Sequence, residues 1–162
     1  SVFVFTARFG LDACAPAPAD APARPSALAR LRAGHSGARV LLVEDDVSNQ
    51  QVARGLVEDA GLSVDLAENG SQAVTLAGAR AYDLIIMDVQ MPVMDGLTAT
   101  RAIRSLPGRA SVPIIALSAN VFTENRERCV RAGMNGFIAK PVDSEAMYQA
   151  LLDALDRQGL TA

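Results

Sequence analysis

From Arg39 onward the chain alternates short aliphatic runs with segments whose apolar residues recur every three or four positions. RVLLV (39–43), LSVDLA (62–67), DLIIM (83–87), VPIIAL (112–117) and GFIA (136–139) read as strands. Helices are predicted over 48–61, 69–80, 95–106, 123–133 and 143–157. Punctuation agrees with this pattern: Gly61 stops the first helix, Pro107-Gly108 the third, and Asp143 or Ser144 caps the last. On the first helix Val52, Leu56 and Ala60 share a face, and on the second Ala73, Leu76 and Ala77 do. Those faces are expected to turn toward the core.

Five strand-then-helix units predict an α/β fold, a doubly wound parallel sheet with helices on both faces. Segments 39–43, 83–87 and 112–117 are apolar without alternation, as strands covered on both sides are. In such sheets ligands bind beyond the carboxyl ends of the strands, where the strand order reverses. A flavodoxin-like (βα)5 order, 2-1-3-4-5, sets the first and third strands side by side at that crevice.

Residues 11–37 have a different texture, rich in Ala, Arg and small polar residues with four prolines in the first part. They read as an extended linker, with Ser26 to Ala33 suited to a short helix. His35, the one histidine, ends this segment among glycines and is expected to be solvated. Residues 1–10, SVFVFTARFG, hold three of the five phenylalanines in a strand-like run, more aromatic surface than a free segment leaves exposed. The expected divisions are therefore 1–10, 11–37 and 38–158.

Composition narrows the function classes. Half of the residues are hydrophobic and only 4% aromatic, so the core is aliphatic. A net charge of −3 leaves no footprint for nucleic acid. Cys14 and Cys129 are far apart and show no metal-ligand spacing, which fits a reduced, cytoplasmic setting. No apolar run approaches the ~18 residues of a spanning helix, and no basic leader precedes the first apolar residues.

The chemistry sits at the predicted strand ends. Glu44, Asp45 and Asp46 follow the first strand and Asp88 follows the third. Two like charges ~4 Å apart repel by about 4 kcal/mol at an effective dielectric near 20, so such a cluster takes up protons or a cation. An oxygen-only donor set favours Mg²⁺, Mn²⁺ or Ca²⁺ over zinc, and few protein ligands suit Mg²⁺ best. The plainer alternative is that these acids cap the following helices, as Asp46 before Ser48 is placed to do. Lys140, the single lysine against fourteen arginines, ends the fifth strand ahead of Pro141. A compact point charge there suits an anion better than a planar fork does, although a chance surface lysine explains it too. Ser118 ends the fourth strand, where a hydroxyl binds an anion or caps a turn. Acids, hydroxyl and ammonium together suit phosphoryl transfer onto Asp88.

With these residues in view, 38–158 resembles the receiver domain of two-component signalling. LLVEDD is similar to its acidic pocket, IIMDVQMPVMDG to its phosphoacceptor loop, IIALSAN to its switch-hydroxyl strand and GFIAKPV to its lysine-proline motif. The resemblance implies Asp88 as phosphoacceptor, Asp45 and Glu44 as Mg²⁺ ligands (Mn²⁺ in its place), and the Gln90 carbonyl completing the metal site. It further implies Ser118 and Lys140 as grips on the phosphoryl oxygens and Phe137 as the switch aromatic. Gln90 and Asn120 stand where the family tunes loss of the phosphoryl group, and Asp46 replaces an asparagine common in relatives. Residues 1–10 resemble the last strand of a histidine kinase ATP-binding domain. That implies the carboxyl-terminal receiver of a hybrid sensor kinase, which takes its phosphoryl group from a phosphohistidine, with a histidine phosphotransfer domain downstream. The fragment itself, without ATP-site glycine boxes, is not expected to use ATP unaided. Two rivals are a haloacid-dehalogenase-type phosphatase and a stand-alone response regulator. The first normally carries an aspartate where Gln90 stands, and the second is expected to add a DNA-binding module after the last helix.

Overall fold

The structure is a computed structural model that describes residues 25–119 and 123–159. The expectations for 1–10, for 11–24 and for Asn120 fall outside those residues. Eleven elements follow one another: α1 (Ala27–Gly34), β1 (Arg39–Val43), α2 (Val47–Asp59), β2 (Ser63–Ala67), α3 (Gly70–Ala79), β3 (Leu84–Asp88), α4 (Gly96–Arg104), β4 (Ile114–Ser118), α5 (Thr123–Ala132), β5 (Gly136–Ala139) and α6 (Ser144–Gly159). The strands form one parallel sheet in the order β2-β1-β3-β4-β5, as the sequence predicts.

Period-two alternation sends successive side chains of the central strands to opposite faces. Val40, Leu42, Leu84, Ile86, Ile115 and Leu117 pack against α1, α2 and α6 on one side. Leu41, Val43, Ile85, Met87, Ile114 and Ala116 pack against α3, α4 and α5 on the other. Hence β3 and β4 are buried along their whole length. Short polar side chains turn the chain from strand to helix. Asp46 accepts from Asn49 N at 2.9 Å, Asn69 from Gln72 N at 3.0 Å, Asp95 from Thr98 N at 2.7 Å and Asp143 from Ala146 N at 2.9 Å. Each such cap contributes about 1 kcal/mol. The cap of α6 is therefore Asp143 rather than Ser144.

The expected face of α2 and the expected solvation of His35 are corrected. The buried stripe of α2 is Ala53, Val57 and Ala60, while Val52 is 54% exposed and Leu56 lies on the flank. The helix is rolled by one residue from the expected face, so that the small Ala53 rather than Val52 meets the sheet. Within the segment read as a linker, the short helix expected over Ser26 to Ala33 forms as α1, and it packs on the domain. Ser26 Oγ caps α1, accepting from Ala29 N at 3.2 Å, and Ala27 and Leu31, one turn apart, are buried with Met147, Tyr148, Leu151 and Leu155 of α6. His35, expected in solvent, is half-buried with Nε2 2.8 Å from Asp156 Oδ1, and Arg30 reaches the other oxygen of that carboxylate at 2.8 Å. Arg32 meets Asp59 Oδ1 at 2.6 Å, and Tyr148 donates to Asp59 Oδ2 at 2.9 Å. Exposed pairs of this kind contribute little, about 0–1 kcal/mol, so the burial of Leu31 dominates the attachment of α1.

Replacing Leu31 by Ala is therefore expected to lower unfolding stability by about 2–4 kcal/mol in a urea titration, the usual cost of a leucine-sized core cavity. A second test concerns pH. Tyr82 donates to Asp65 Oδ2 at 2.7 Å; burial first, and then that bond, push the tyrosine up to about 12, while the bond holds Asp65 below its ordinary value. The tyrosine's contribution is present below its unfolded value near 10 and is lost as pH rises through about 12. That of Asp65 is present above its unfolded value near 4 and is lost as pH falls through its lowered folded value. Tyr82→Phe is thus expected to cost about 1 kcal/mol near neutrality, a gap that narrows at both pH extremes.

Candidate functional site

The parallel register brings four strand ends to one edge. Val43 pairs with Met87, Asp88 with Leu117, and Ser118 with Ala139. Glu44, Asp88, Ser118 and Lys140 therefore emerge side by side, each at or one residue past the end of its strand. Glu44 is 1% exposed, Asp88 4% and Ser118 3%, while Asp45 faces solvent. Carboxylate oxygens of Glu44, Asp45 and Asp88 all lie within 4.8 Å of one another.

Lys140 joins the two buried acids. Its Nζ is 2.6 Å from Asp88 Oδ2 and 2.6 Å from Glu44 Oε2. The Lys140–Pro141 peptide is cis, and Lys140 N donates to the Ser118 carbonyl at 2.9 Å. Burial alone lowers an ammonium's pKa, but here the hydrogen bond to Asp88 and the negative charges of Asp88 and Glu44 outweigh it and the net shift is upward. Glu44 is raised chiefly because it is buried, with the nearby Asp88 charge adding to the effect; Lys140 and Asn49 only partly offset this. Asn49 Nδ2 donates to Glu44 Oε1 at 3.0 Å, and Gln50 Nε2 donates to the Glu44 carbonyl at 2.6 Å. Among the described residues Glu44 Oε2 is buried with no hydrogen bond of good geometry, and its contact with the ammonium is an ion pair. Gln90 N donates to Asp88 Oδ1 at 3.0 Å.

These observations fit a hard divalent cation. Three carboxylates against one ammonium leave two negative charges in excess, the donors are all oxygens, and one buried oxygen has no hydrogen bond. Such a set suits Mg²⁺, which keeps several waters and takes few protein ligands. Beside the cluster a cavity of about 390 Å³ opens, bordered among the described residues by Gln90, Met91, Ser118 and Arg128.

Of the residues singled out from sequence, Glu44, Asp45, Asp88 and Lys140 come together, and Ser118 stands at the same edge. Gln90 enters through its backbone N–H to Asp88. Phe137 does not join them. It is half-buried on β5 opposite Ala116, against the core layer of α4 and α5. Asp46 serves as the cap of α2, which resolves its role in the fold. Sequence reasoning missed Asn49 and Gln50, whose signal is two amides in the first turn of a helix that follows an acidic strand end. It also passed over the closeness of Gly96, where a Cβ would fall on the Asp88 carbonyl oxygen.

Comparison with known proteins agrees with this geometry. Residues 40–152 match the family model described as the response regulator receiver domain. The receiver domain of the sensor histidine kinase PA1611 from Pseudomonas aeruginosa PAO1, solved with magnesium coordinated in its active-site cleft, is 41% identical with a TM-score of 0.71. The match covers 75% of this chain and 99% of that one. The signal transduction histidine-protein kinase BarA of Escherichia coli K12 is 36% identical over 123 residues, 76% of this chain and 13% of BarA. Histidine kinase 5 of Arabidopsis thaliana is 36% identical over 139 residues, 70% of this chain and 15% of that protein. The chain thus spans a small part of the length of these curated relatives. Fold, acidic edge and relatives lead to one conclusion: this chain belongs to the response regulator receiver domain family of two-component signalling.

Proposed function

We propose that Asp88 is the phosphoacceptor and that the chain takes its phosphoryl group from a phosphohistidine. The observation that carries this reading is the position of Asp88, buried between an ammonium 2.6 Å away and two further carboxylates. A carboxylate oxygen of Asp88 attacks phosphorus, the P–N bond breaks, and the imidazole nitrogen leaves with the electron pair and is protonated. An aspartyl phosphate remains. Gln90 N and Lys140 hold the two Asp88 oxygens before transfer, and the Lys140 ammonium is placed to stabilise the added charge on the phosphoryl oxygens. Glu44, Asp45, Asp88 and the Gln90 carbonyl are the ligands we assign to Mg²⁺, with Mn²⁺ as a substitute. When bound, this ion neutralises phosphoryl charge. Ser118 is the hydroxyl we assign to a phosphoryl oxygen, and Phe137 the aromatic whose packing responds.

The relatives' names support a hybrid sensor kinase as the context, with the phosphohistidine in the same parent chain and a histidine phosphotransfer domain as the next acceptor. Among the described residues no helix is long and apolar enough to cross a membrane, and the cytoplasm is the compartment we assign. The phosphatase alternative gains nothing from the site, since Gln90 has no acid to give a leaving group.

Asp88→Asn is expected to abolish labelling by acetyl phosphate or a cognate kinase, read by phosphate-affinity electrophoresis or intact mass. Labelling at wild-type strength would refute the assignment. Gly96→Ala is expected to slow labelling at least tenfold and to cost about 1–3 kcal/mol, because its Cβ displaces the Asp88 backbone. A stopped-flow or mass time course alongside a thermal melt checks both.

A further inference from the structure

The flank between α4 and α5 carries a cluster of positive charge that the acceptor chemistry does not use. Arg101 of α4 and Arg128 and Arg131 of α5 converge on a cavity of about 190 Å³, together with Asp95 and Leu97. All three arginine side chains are exposed. The cavity adjoins the larger one beside the acidic pocket, with Asp95, Leu97 and Arg128 common to both. None of the residues assigned to the cation or to the phosphoryl group lines it.

The fold does not account for this placement. Elsewhere arginines have partners within the domain: Arg30, Arg32, Arg54 and Arg80 pair with carboxylates, and Arg104 and Arg109 donate to backbone carbonyls. Among the described residues the cluster forms no ion pair, and its one side-chain hydrogen bond runs from Arg101 Nη2 to Thr98 Oγ1 at 3.3 Å. Asp95 lines the same cavity, but its Oδ1 accepts from Thr98 N at 2.7 Å. Arg128 and Arg131, three residues apart, lie on one face of α5, where like charges destabilise a helix. Three guanidiniums against one carboxylate leave two positive charges in excess, in a chain whose net charge is −3.

The chemistry of the cluster indicates what it takes. A guanidinium is planar and permanently charged, and its fork of donors matches phosphate oxygens in pairs. Three of them around one small cavity, rather than along a stripe, favour a compact polyanion over an extended acidic peptide. Drug-sized ligands fill about 300–1,000 Å³, so this cavity suits an anionic group rather than a whole molecule of that size.

We propose that Arg101, Arg128 and Arg131 form a binding site for a diphosphate group, as the free ion or on an organic ester. The site is separate from the phosphoacceptor and does not rest on Asp88 being one. Because Arg101 belongs to α4 and the other two to α5, a bound diphosphate ties the two helices together and offsets the repulsion within the cluster.

The probe is sodium pyrophosphate, titrated calorimetrically into the full chain with EDTA present and ionic strength held constant by sodium chloride. EDTA removes divalent cations, so the acidic pocket repels the anion. The wild type is expected to show one saturable site and to melt higher with the anion than without it. The double variant Arg128→Gln, Arg131→Gln should bind about tenfold more weakly, equivalent to ~1.4 kcal/mol, and Arg101→Gln should also lose affinity. Without the anion the double variant should melt no lower than the wild type, and Arg101→Gln carries the test if it does not fold. Arg126→Gln, which removes an exposed charge of α5 outside the cavity, should leave the affinity nearly unchanged. Asp88→Asn should bind as the wild type does. Titration with ADP separates the sources: binding tighter than that of pyrophosphate assigns the group to an organic ester, and equal or weaker binding to the free ion. Binding that does not saturate overturns the site, and so does an affinity unchanged in the cavity variants. An equal fall in Arg126→Gln shows attraction by overall charge and overturns it too, as does loss of binding in Asp88→Asn.

Discussion

The ammonium of Lys140, held 2.6 Å from two buried carboxylates, is the constraint on which the rest of the site depends. Glu44 and Asp88 lie in a layer that excludes water, where ionised acids are costly unless paired and hydrogen-bonded. Lys140 answers both at once from a third strand end. Its position follows from the parallel register, which carries the ends of β1, β3, β4 and β5 to a common edge. A slip of one residue in β1, β3 or β5 would turn its side chains over and leave a carboxylate without its partner.

The same edge explains how the connecting segments are built. Each strand must end at its functional residue and the chain must leave at once, without crowding the pocket. Asp46, Asn69, Asp95 and Asp143 each start a helix by accepting from the first turn, and Gly96 lets α4 begin against the Asp88 carbonyl. Asn49 and Gln50 extend this economy, because the first turn of α2 also ties down Glu44. Structural capping and site assembly are thus carried by neighbouring residues. Asp46 therefore has a duty in the fold whatever it adds to cation binding.

Much of this was legible in the chain because its strands are short, apolar and end on charged or hydroxyl groups. β1, β3 and β5 fall within a residue of their expected bounds, and the strand order follows from the alternation of strands and helices. What escaped depends on partners distant in sequence or on torsion angles. His35 and Arg30 look solvated until Asp156, 121 and 126 residues away, is placed beside them. The roll of α2 depends on which small residue meets the sheet most closely, and periodicity alone does not separate Val52 from Ala53. Phe137 shows the converse limit: its place in the motif is clear from sequence, but only packing places it in the α4 and α5 layer rather than the pocket. Val93, between β3 and α4, has a φ of 68°, for which there is no residue-type signal, since valine is the last side chain to suggest it.

The paucity of aromatic residues has a spectroscopic consequence. The chain has no tryptophan and two tyrosines, and the sheet separates those two: Tyr148 lies in the layer of α1, α2 and α6, and Tyr82 in that of α3, α4 and α5. Near-ultraviolet dichroism of the native protein is therefore dominated by two chromophores, one on each side. Removing either one by phenylalanine substitution turns the remaining signal into a one-sided optical probe, without any extrinsic label.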